Sequence, residues 1–373
     1  MKIKFYIVLF GIMLLVKTPT TAVSQTDSSI QAQIDKIASD YLSNPDNVGL
    51  IIGIYPKPDP RSMNATPPAP QVFAYGEVQK GTGVRPNEKT IFKMGSVGKT
   101  FTAMQLAHYV CNPSSGVLLT DPINKYLPAG MTLPEWRDAN GNITYITLLD
   151  LATHFSSLPR VPSNRVKPPG YTVEMLYAYL QKYKLKSQPG TKFLYSNLGF
   201  GILGDIMTII GKNDYQTLEN QIFTDALGMV DTKISLNQEQ LTRLAYSYSK
   251  GKEQEFYGVT SPAFYGAGGN FSTMTDMLKY LAYNMGYLNT PLNSYLDTLH
   301  KVRMTTGLKN LKWMGLAWQI GTLNNNELIW KDGSTDGFTT WVGWVDATKT
   351  GVVILSNTNG ASGVAMKVMN VLQ

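Results

Sequence analysis

The sequence predicts an α/β (α+β) protein whose sheet is assembled from both ends of the chain, with a helical region inserted between them. Three observations predict it. Strand-like apolar runs lie near the N terminus, helical spacing dominates the middle, and strand runs separated by turns return near the C terminus.

Residues 1–24 read as a secretory signal: Met1-Lys2-Ile3-Lys4 is a basic start, Phe5 to Val16 is apolar, and Thr20 to Gln25 offers small residues for cleavage after Ala22 or Ser24. Twelve apolar residues fall short of the roughly 20 that span a bilayer. The expected product is a periplasmic or secreted protein of residues 25–373 with no stable membrane span. The formal charge of +7 includes Lys2, Lys4 and Lys17, so cleavage leaves 7 − 3 = +4. That mild excess suits anionic cell-envelope surfaces, and no basic run interleaved with aromatics points to nucleic acid. Cys111 is the only cysteine, so the fold needs no disulfide.

Ile30, Ile34, Ile37 and Tyr41 recur at helical spacing, followed by a strand over Val48 to Tyr55. Pro56 to Pro70 reads as a loop, and Val72 to Tyr75 as a second strand able to form a hairpin with the first. Helices are expected at Ser96–Val110, Leu148–His154, Thr172–Tyr183, Leu198–Ile210 and Thr273–Tyr283. Strands follow at Trp313–Ile320, Leu328–Lys331, Phe338–Val345 and Gly351–Leu355, and Val364 to Leu372 closes the chain as a helix. The sheet is thus expected from 45–95 and 310–373, and the helical region from about 96–285.

The chain has three histidines and no Gly-x-Ser-x-Gly elbow, which argues against a Ser-His-Asp enzyme. A lysine one turn from a serine is the other way to activate a hydroxyl. Ser96-Val97-Gly98-Lys99 places both side chains on one face at the start of an apolar helix. Backbone N–H groups at that helix start suit a developing oxyanion. The same spacing at Ser247–Lys250 and Ser249–Lys252 lies in a polar stretch. A phosphate-loop reading of Gly98-Lys99-Thr100 fails because its first glycine would fall on Lys93.

Tyr195-Ser196-Asn197 follows a Pro-Gly turn and precedes a helix; a tyrosine beside two lysines is suited to shuttle protons. Tyr287-Leu288-Asn289 repeats the spacing. Lys331-Asp332-Gly333-Ser334 lies between two strand signals, with a lysine at a strand end and a glycine that lets substrate approach the backbone. His154 is expected to be a core or capping residue, and Trp313, Trp318, Trp330, Trp341 and Trp344 to belong to the sheet core.

Together these pieces resemble the serine β-lactamases and penicillin-interacting peptidases, most closely the class C β-lactamases and their D-alanyl-D-alanine carboxypeptidase/endopeptidase relatives, which carry Ser-x-x-Lys, Tyr-x-Asn and Lys-Thr-Gly in this order. Leu151 to Arg160 is similar to the family's Thr-His-x-Ser-Gly-Leu-Pro stretch, and Gly351 to Asn357 to its last strand. The resemblance implies an antiparallel sheet flanked by helices beside a helical region. It also implies a serine hydrolase working through an acyl-enzyme, with Ser96 as nucleophile and Lys99 and Tyr195 as base and then acid. Asn197, Lys331, Asp332, Gly333 and Ser334 would bind substrate, and the N–H groups of Ser96 and Ser334 would form the oxyanion hole. Peptidoglycan-derived D-amino-acid amides and β-lactams are the implied substrates, with no metal or organic cofactor. An esterase, a D-aminopeptidase or an acylated sensor on the same scaffold are the alternatives. Three departures stand out: Gly98 replaces a Ser or Thr, Asp332 replaces a Thr, and Ser362 and Ala365 stand where class C enzymes place an Asn and an Arg. Asp332 is expected to face a substrate carboxylate and disfavour it.

Overall fold

The computed structural model describes residues 28–58, 67–127, 130–164, 166, 170–255 and 260–373; the signal segment 1–24 lies outside them. Helix α1 (Ser28–Leu42) leads into strand β1 (Gly49–Tyr55), and β2 (Gln71–Gly76) pairs back on β1 antiparallel, with Ile52 opposite Phe73. An eight-stranded sheet then runs in the order Gln71–Gly76, Gly49–Tyr55, Thr350–Ser356, Phe338–Val345, Asn326–Thr335, Gln319–Leu323, Trp313–Met314 and Met304–Thr305. Every neighbouring pair in it is antiparallel. The two ends of the chain meet where Ile52 faces Ile354.

The pleat sends alternate residues into two cores. Leu50, Ile52, Ile54, Trp341 and Ile354 pack with Ile34 and Ala38 of α1 and with Ala365 and Val368 of the C-terminal helix Ser362–Val371. Ile51, Val342, Trp344, Val353 and Leu355 face the helical region. Trp318, Trp341 and Trp344 are buried, as expected, whereas Trp313 and Trp330 are half-buried at the margins.

Two strand expectations change. The run Trp313–Ile320 divides into Trp313–Met314 and Gln319–Leu323, because Ala317 takes a left-handed φ of 62° and donates its N–H to Ala152 O. The strand expected to end at Lys331 continues to Thr335. The middle region is also not purely helical. Strand β3 (Ile91–Lys93) pairs with Phe271–Thr273, Phe92 opposite Ser272, immediately before Ser96.

Candidate active site

Beyond β3 the chain turns at Gly95, whose φ of 51° favours glycine; a Cβ there would stand 3.1 Å from Ser334 N. Ser96 occupies a single 3-10 turn, Gly95–Val97, and helix α2 (Gly98–Val110) continues from it. Residues Gly98–Ala107 are all buried, Lys99, Thr100, Thr102 and Gln105 among them, so the helix is enclosed on every side. The spacing of three brings Lys99 Nζ to 3.1 Å from Ser96 Oγ, and Lys99 also donates to Ala267 O at 2.5 Å. Gly98 is explained by its neighbours: a Cβ would lie 2.5 Å from Asn270 Oδ1 and 2.9 Å from Gly268 Cα.

Tyr195 is presented by a loop clamped to the end of helix α3 (Leu148–Thr153). Leu194 N–H donates to His154 O, Ser196 N–H to His154 Nδ1 at 3.1 Å, and Asn197 N–H to Arg160 O. Ser196 then caps the helix Asn197–Gly211, accepting from Gly199 N–H and donating to Pro159 O. The outcome is a Tyr195 hydroxyl 2.6 Å from Ser96 Oγ. His154 terminates α3 with φ 65° and stacks on the Tyr195 ring at 4.2 Å. It is both the capping residue expected and a shelf for the tyrosine.

Lys99 Nζ, Lys331 Nζ and the Arg160 guanidinium lie 5.2, 5.1 and 5.0 Å from the Tyr195 ring centre, and none of the three has a carboxylate partner among the described residues. Burial pushes the Tyr195 hydroxyl up, but the Lys331 and Lys99 charges and hydrogen bonds to Ser96 and Lys99 outweigh it and lower its pKa to about 8. Burial also lowers Lys99 to about 8, opposed by Tyr195 and reinforced by Lys331 and Arg160. Burial, and then the same three cations, hold His154 well below its usual 6.5. With Nδ1 accepting a hydrogen bond, His154 is a neutral ring rather than a base.

Lys331 lies within its strand, fully buried, on the Val342 side of the pleat that faces the helical region. Two residues on, a Cβ at Gly333 would meet Met94 O at 2.3 Å and Ser96 N at 3.0 Å, so only glycine lets the strand approach Ser96. Residues 331–335 pair with Phe338–Val342 on one side, while pairing on the other side stops at Trp330. That leaves an edge against which an extended substrate can lie. Asp332 does not face the site. It sits opposite Trp341, whose side chain belongs to the α1 core, so the period-2 pleat turns it to the other side of the sheet.

The acid at the site is Asp336. A cavity of about 110 Å³ beside Ser96 is lined by Lys93, Asn197, Thr260, Phe264, Ser334 and Asp336, among others. Lys93 Nζ bonds Asp336 Oδ2 at 3.0 Å, the lysine almost fully buried and the aspartate half-exposed. Asp336 and Gly337 both have positive φ, 37° and 87°, which Asp-Gly supplies in a tight hairpin turn. Asn197 Oδ1 and Thr260 Oγ1 are buried with no hydrogen-bond partner among the described residues. Arg160, Thr260, the Ala267 carbonyl and the Lys93–Asp336 pair were not singled out from sequence. Arg160, Lys93 and Asp336 each adjoin a motif, but nothing local marks Lys93 and Asp336 as partners.

The remaining motif copies lie elsewhere. Ser247–Lys250 and Ser249–Lys252 belong to a small hairpin that pairs Ser249 with Lys252, and Tyr287 donates to Lys349 O and meets the Tyr55 ring edge-on.

A family profile described as Beta-lactamase matches residues 69–371. The chain belongs to the beta-lactamase family. It is 33% identical over 212 residues to the D-alanyl-D-alanine-carboxypeptidase/endopeptidase AmpH of Escherichia coli K12, covering 56% of this chain and 52% of AmpH. The chain thus matches about half the length of that relative. It is 27% identical over 334 residues to a beta-lactamase of Pseudomonas fluorescens, covering 78% of this chain and 85% of the relative. In structure it resembles a D-alanine carboxypeptidase AmpC from Burkholderia cenocepacia, with TM-score 0.74, 26% identity, and coverage of 93% and 99% of the two chains. A class C beta-lactamase superposes with TM-score 0.78 at 23% identity over 94% and 98% of the chains, a likeness of fold. The expected antiparallel sheet with flanking helices is therefore the observed one.

Proposed function

We propose that this protein is an exported serine hydrolase that forms an acyl-enzyme at Ser96 and acts on D-amino-acid amides from peptidoglycan, with β-lactams as additional acyl donors. One observation carries the reading: Ser96 Oγ is held by both the Tyr195 hydroxyl at 2.6 Å and Lys99 Nζ at 3.1 Å. Both groups are lowered to about 8, close to the pH at which a base works best. The names of AmpH and of the beta-lactamase relatives support the substrate class.

In the reactive form the Tyr195 phenolate, balanced by the Lys99 and Lys331 ammonium groups, accepts the Ser96 proton. Oγ attacks the substrate carbonyl carbon, and the oxyanion is received by the N–H groups of Ser96 and Ser334. A single such donor typically contributes about 3 kcal/mol. Tyr195 returns the proton to the departing nitrogen as the C–N bond breaks, and a water then repeats the sequence to release the acid. Asn197 Oδ1, without a partner among the described residues and in the cavity wall, accepts the substrate's amide N–H. Residues 1–24 act as the export signal, and 25–373 form the catalytic domain.

The test compares release of D-alanine from a D-alanyl-D-alanine peptide with hydrolysis of a short-chain ester. Turnover of the peptide is expected. Turnover of the ester alone would overturn the substrate class while leaving the Ser96 chemistry in place.

A further inference from the structure

The positive excess of the chain is concentrated in the segment that carries Tyr195. Residues 151–204 hold Arg160, Arg165, Lys167, Lys182, Lys184, Lys186 and Lys192 against the single acid Glu174, which gives 7 − 1 = +6. Residues 25–373 as a whole carry +4, so everything outside that segment sums to 4 − 6 = −2.

Lys182, Lys184, Lys186 and Lys192 are exposed, and none has a carboxylate partner among the described residues. In Lys182-Tyr183-Lys184-Leu185-Lys186 the chain alternates. Leu185 is buried and Tyr183 is half-buried, stacked on Tyr179 at 5.7 Å, while the three lysines stay exposed. This short run departs from the expectation that no basic stretch is interleaved with aromatics. Hydrogen bonds lay it beside the candidate site. Ser187 N–H donates to Ser157 Oγ at 3.1 Å, Gly190 N–H to Phe155 O at 2.9 Å and Leu194 N–H to His154 O at 2.8 Å. The strip therefore follows the segment that ends at Arg160, whose guanidinium lies 5.0 Å from the Tyr195 ring centre.

Along the strip runs a groove of about 630 Å³, lined by Trp136, Arg137, Tyr145, Tyr183 and Lys184, among others. Glu135, the acid of the lining, is paired with Arg137 at 2.5 Å, which leaves Lys184 as the uncompensated charge. Aromatic rings offer flat apolar faces with polar edges, and the C–H face of a pyranose ring stacks on such a face. Exposed lysines attract carboxylates over about a Debye length, near 10 Å at 0.1 M salt. Sugar rings with carboxylates at intervals are the composition of a glycan that bears acidic peptides. A nucleic acid draws its affinity from a cation at each of many phosphates, whereas this groove sets three rings beside one free cation.

We propose that the Trp136–Tyr145–Lys184 groove and the Lys182–Lys186 strip form a docking surface for an anionic glycan polymer, which holds acyl donors within reach of Ser96. This rests on the reading of the substrate as peptidoglycan-derived and deepens it from the small peptide to the polymer.

The experiment pellets the protein with purified peptidoglycan sacculi and measures the bound fraction against sacculus concentration, at about 50 mM and about 300 mM salt, on either side of the screening range. The triple variant Lys182→Gln/Lys184→Gln/Lys186→Gln is expected to bind about tenfold more weakly than wild type at low salt, the sum of three exposed charges, and to differ little from it at high salt. Trp136→Ala is expected to weaken binding about fivefold at both salts, since stacking is not screened. A second triple, Lys252→Gln/Lys301→Gln/Lys309→Gln, removes the same charge from exposed positions elsewhere and is expected to stay within about twofold of wild type. Equal losses in the two triples would show an effect of net charge alone and overturn the proposal, as would unchanged binding in the first triple. Single-stranded DNA that displaced the sacculi at matched charge would overturn the glycan assignment. If Trp136→Ala does not fold, the two triples and the DNA competition decide. Binding is read without turnover, so a wild type that pellets but releases no D-alanine from sacculi would count against the proposed reaction and leave the docking surface standing.

Discussion

Ser96–Lys99 and Ser247–Lys250 share one local spacing and have opposite fates. The first pair opens a buried helix, its lysine has no acid partner among the described residues, and a tyrosine from another loop closes on the serine at 2.6 Å. The second lies at a polar hairpin, where Lys250 takes a left-handed φ of 51° in the turn. Spacing brings a lysine near a serine; burial lowers that lysine to about 8, and a second buried cation, Lys331, helps lower the tyrosine to about 8 as well.

The strongest way to break this comparison is to remove the groups that only the first pair has. Tyr195→Phe and Lys99→Ala are each expected to slow acylation about a hundredfold or more, measured as the second-order rate with a penicillin, while Ser247→Ala leaves the rate unchanged. A Ser247→Ala loss of comparable size would dissolve the distinction. For a base titrating near 8, the rate should climb about tenfold per pH unit from pH 5.5 to 7.5. Lys331→Ala, by removing the first-named positive charge on Tyr195, should move that rise to higher pH. A profile flat across this range would show that neither group is the base.

Gly98→Ser probes the packing beneath the pair. It forces a side chain against Asn270 and Gly268 and should cost about 1–3 kcal/mol of stability in a denaturant titration, as overpacking does. A neutral result would mean that Asn270 moves aside freely. Charge selection sharpens the comparison at the substrate end. Asp336→Asn keeps the Asn/Asp-Gly turn and removes the charge beside Ser96. It should raise the acylation rate by carboxylate-bearing penicillins about fivefold, the value of about 1 kcal/mol for a half-exposed charge. Asp332→Thr should change it less than about twofold, and the reverse ranking would restore Asp332 to the site.

Much of the scaffold was legible because its cause is local. Phe338–Val345 was bounded correctly by its apolar run, α1 was placed by its helical spacing, and the C-terminal helix expected at Val364–Leu372 runs over Ser362–Val371. Ile91–Lys93 and Phe271–Thr273 were hidden because three-residue strands carry no period, and Trp313–Ile320 was divided by one left-handed alanine. Within the site, Ser96, Lys99 and Tyr195 were legible through motif and helix context. The facing of Asp332 was not, because it depends on which core Trp341 joins, and the Lys93–Asp336 pair spans 243 residues.

The central claim, that Ser96 alone is the nucleophile, is tested most directly by intact-mass analysis after exposure to a penicillin, in wild type, Ser96→Ala and Ser247→Ala. One adduct of the penicillin's full mass is expected in wild type and in Ser247→Ala, and none in a folded Ser96→Ala; an adduct persisting in Ser96→Ala would contradict it.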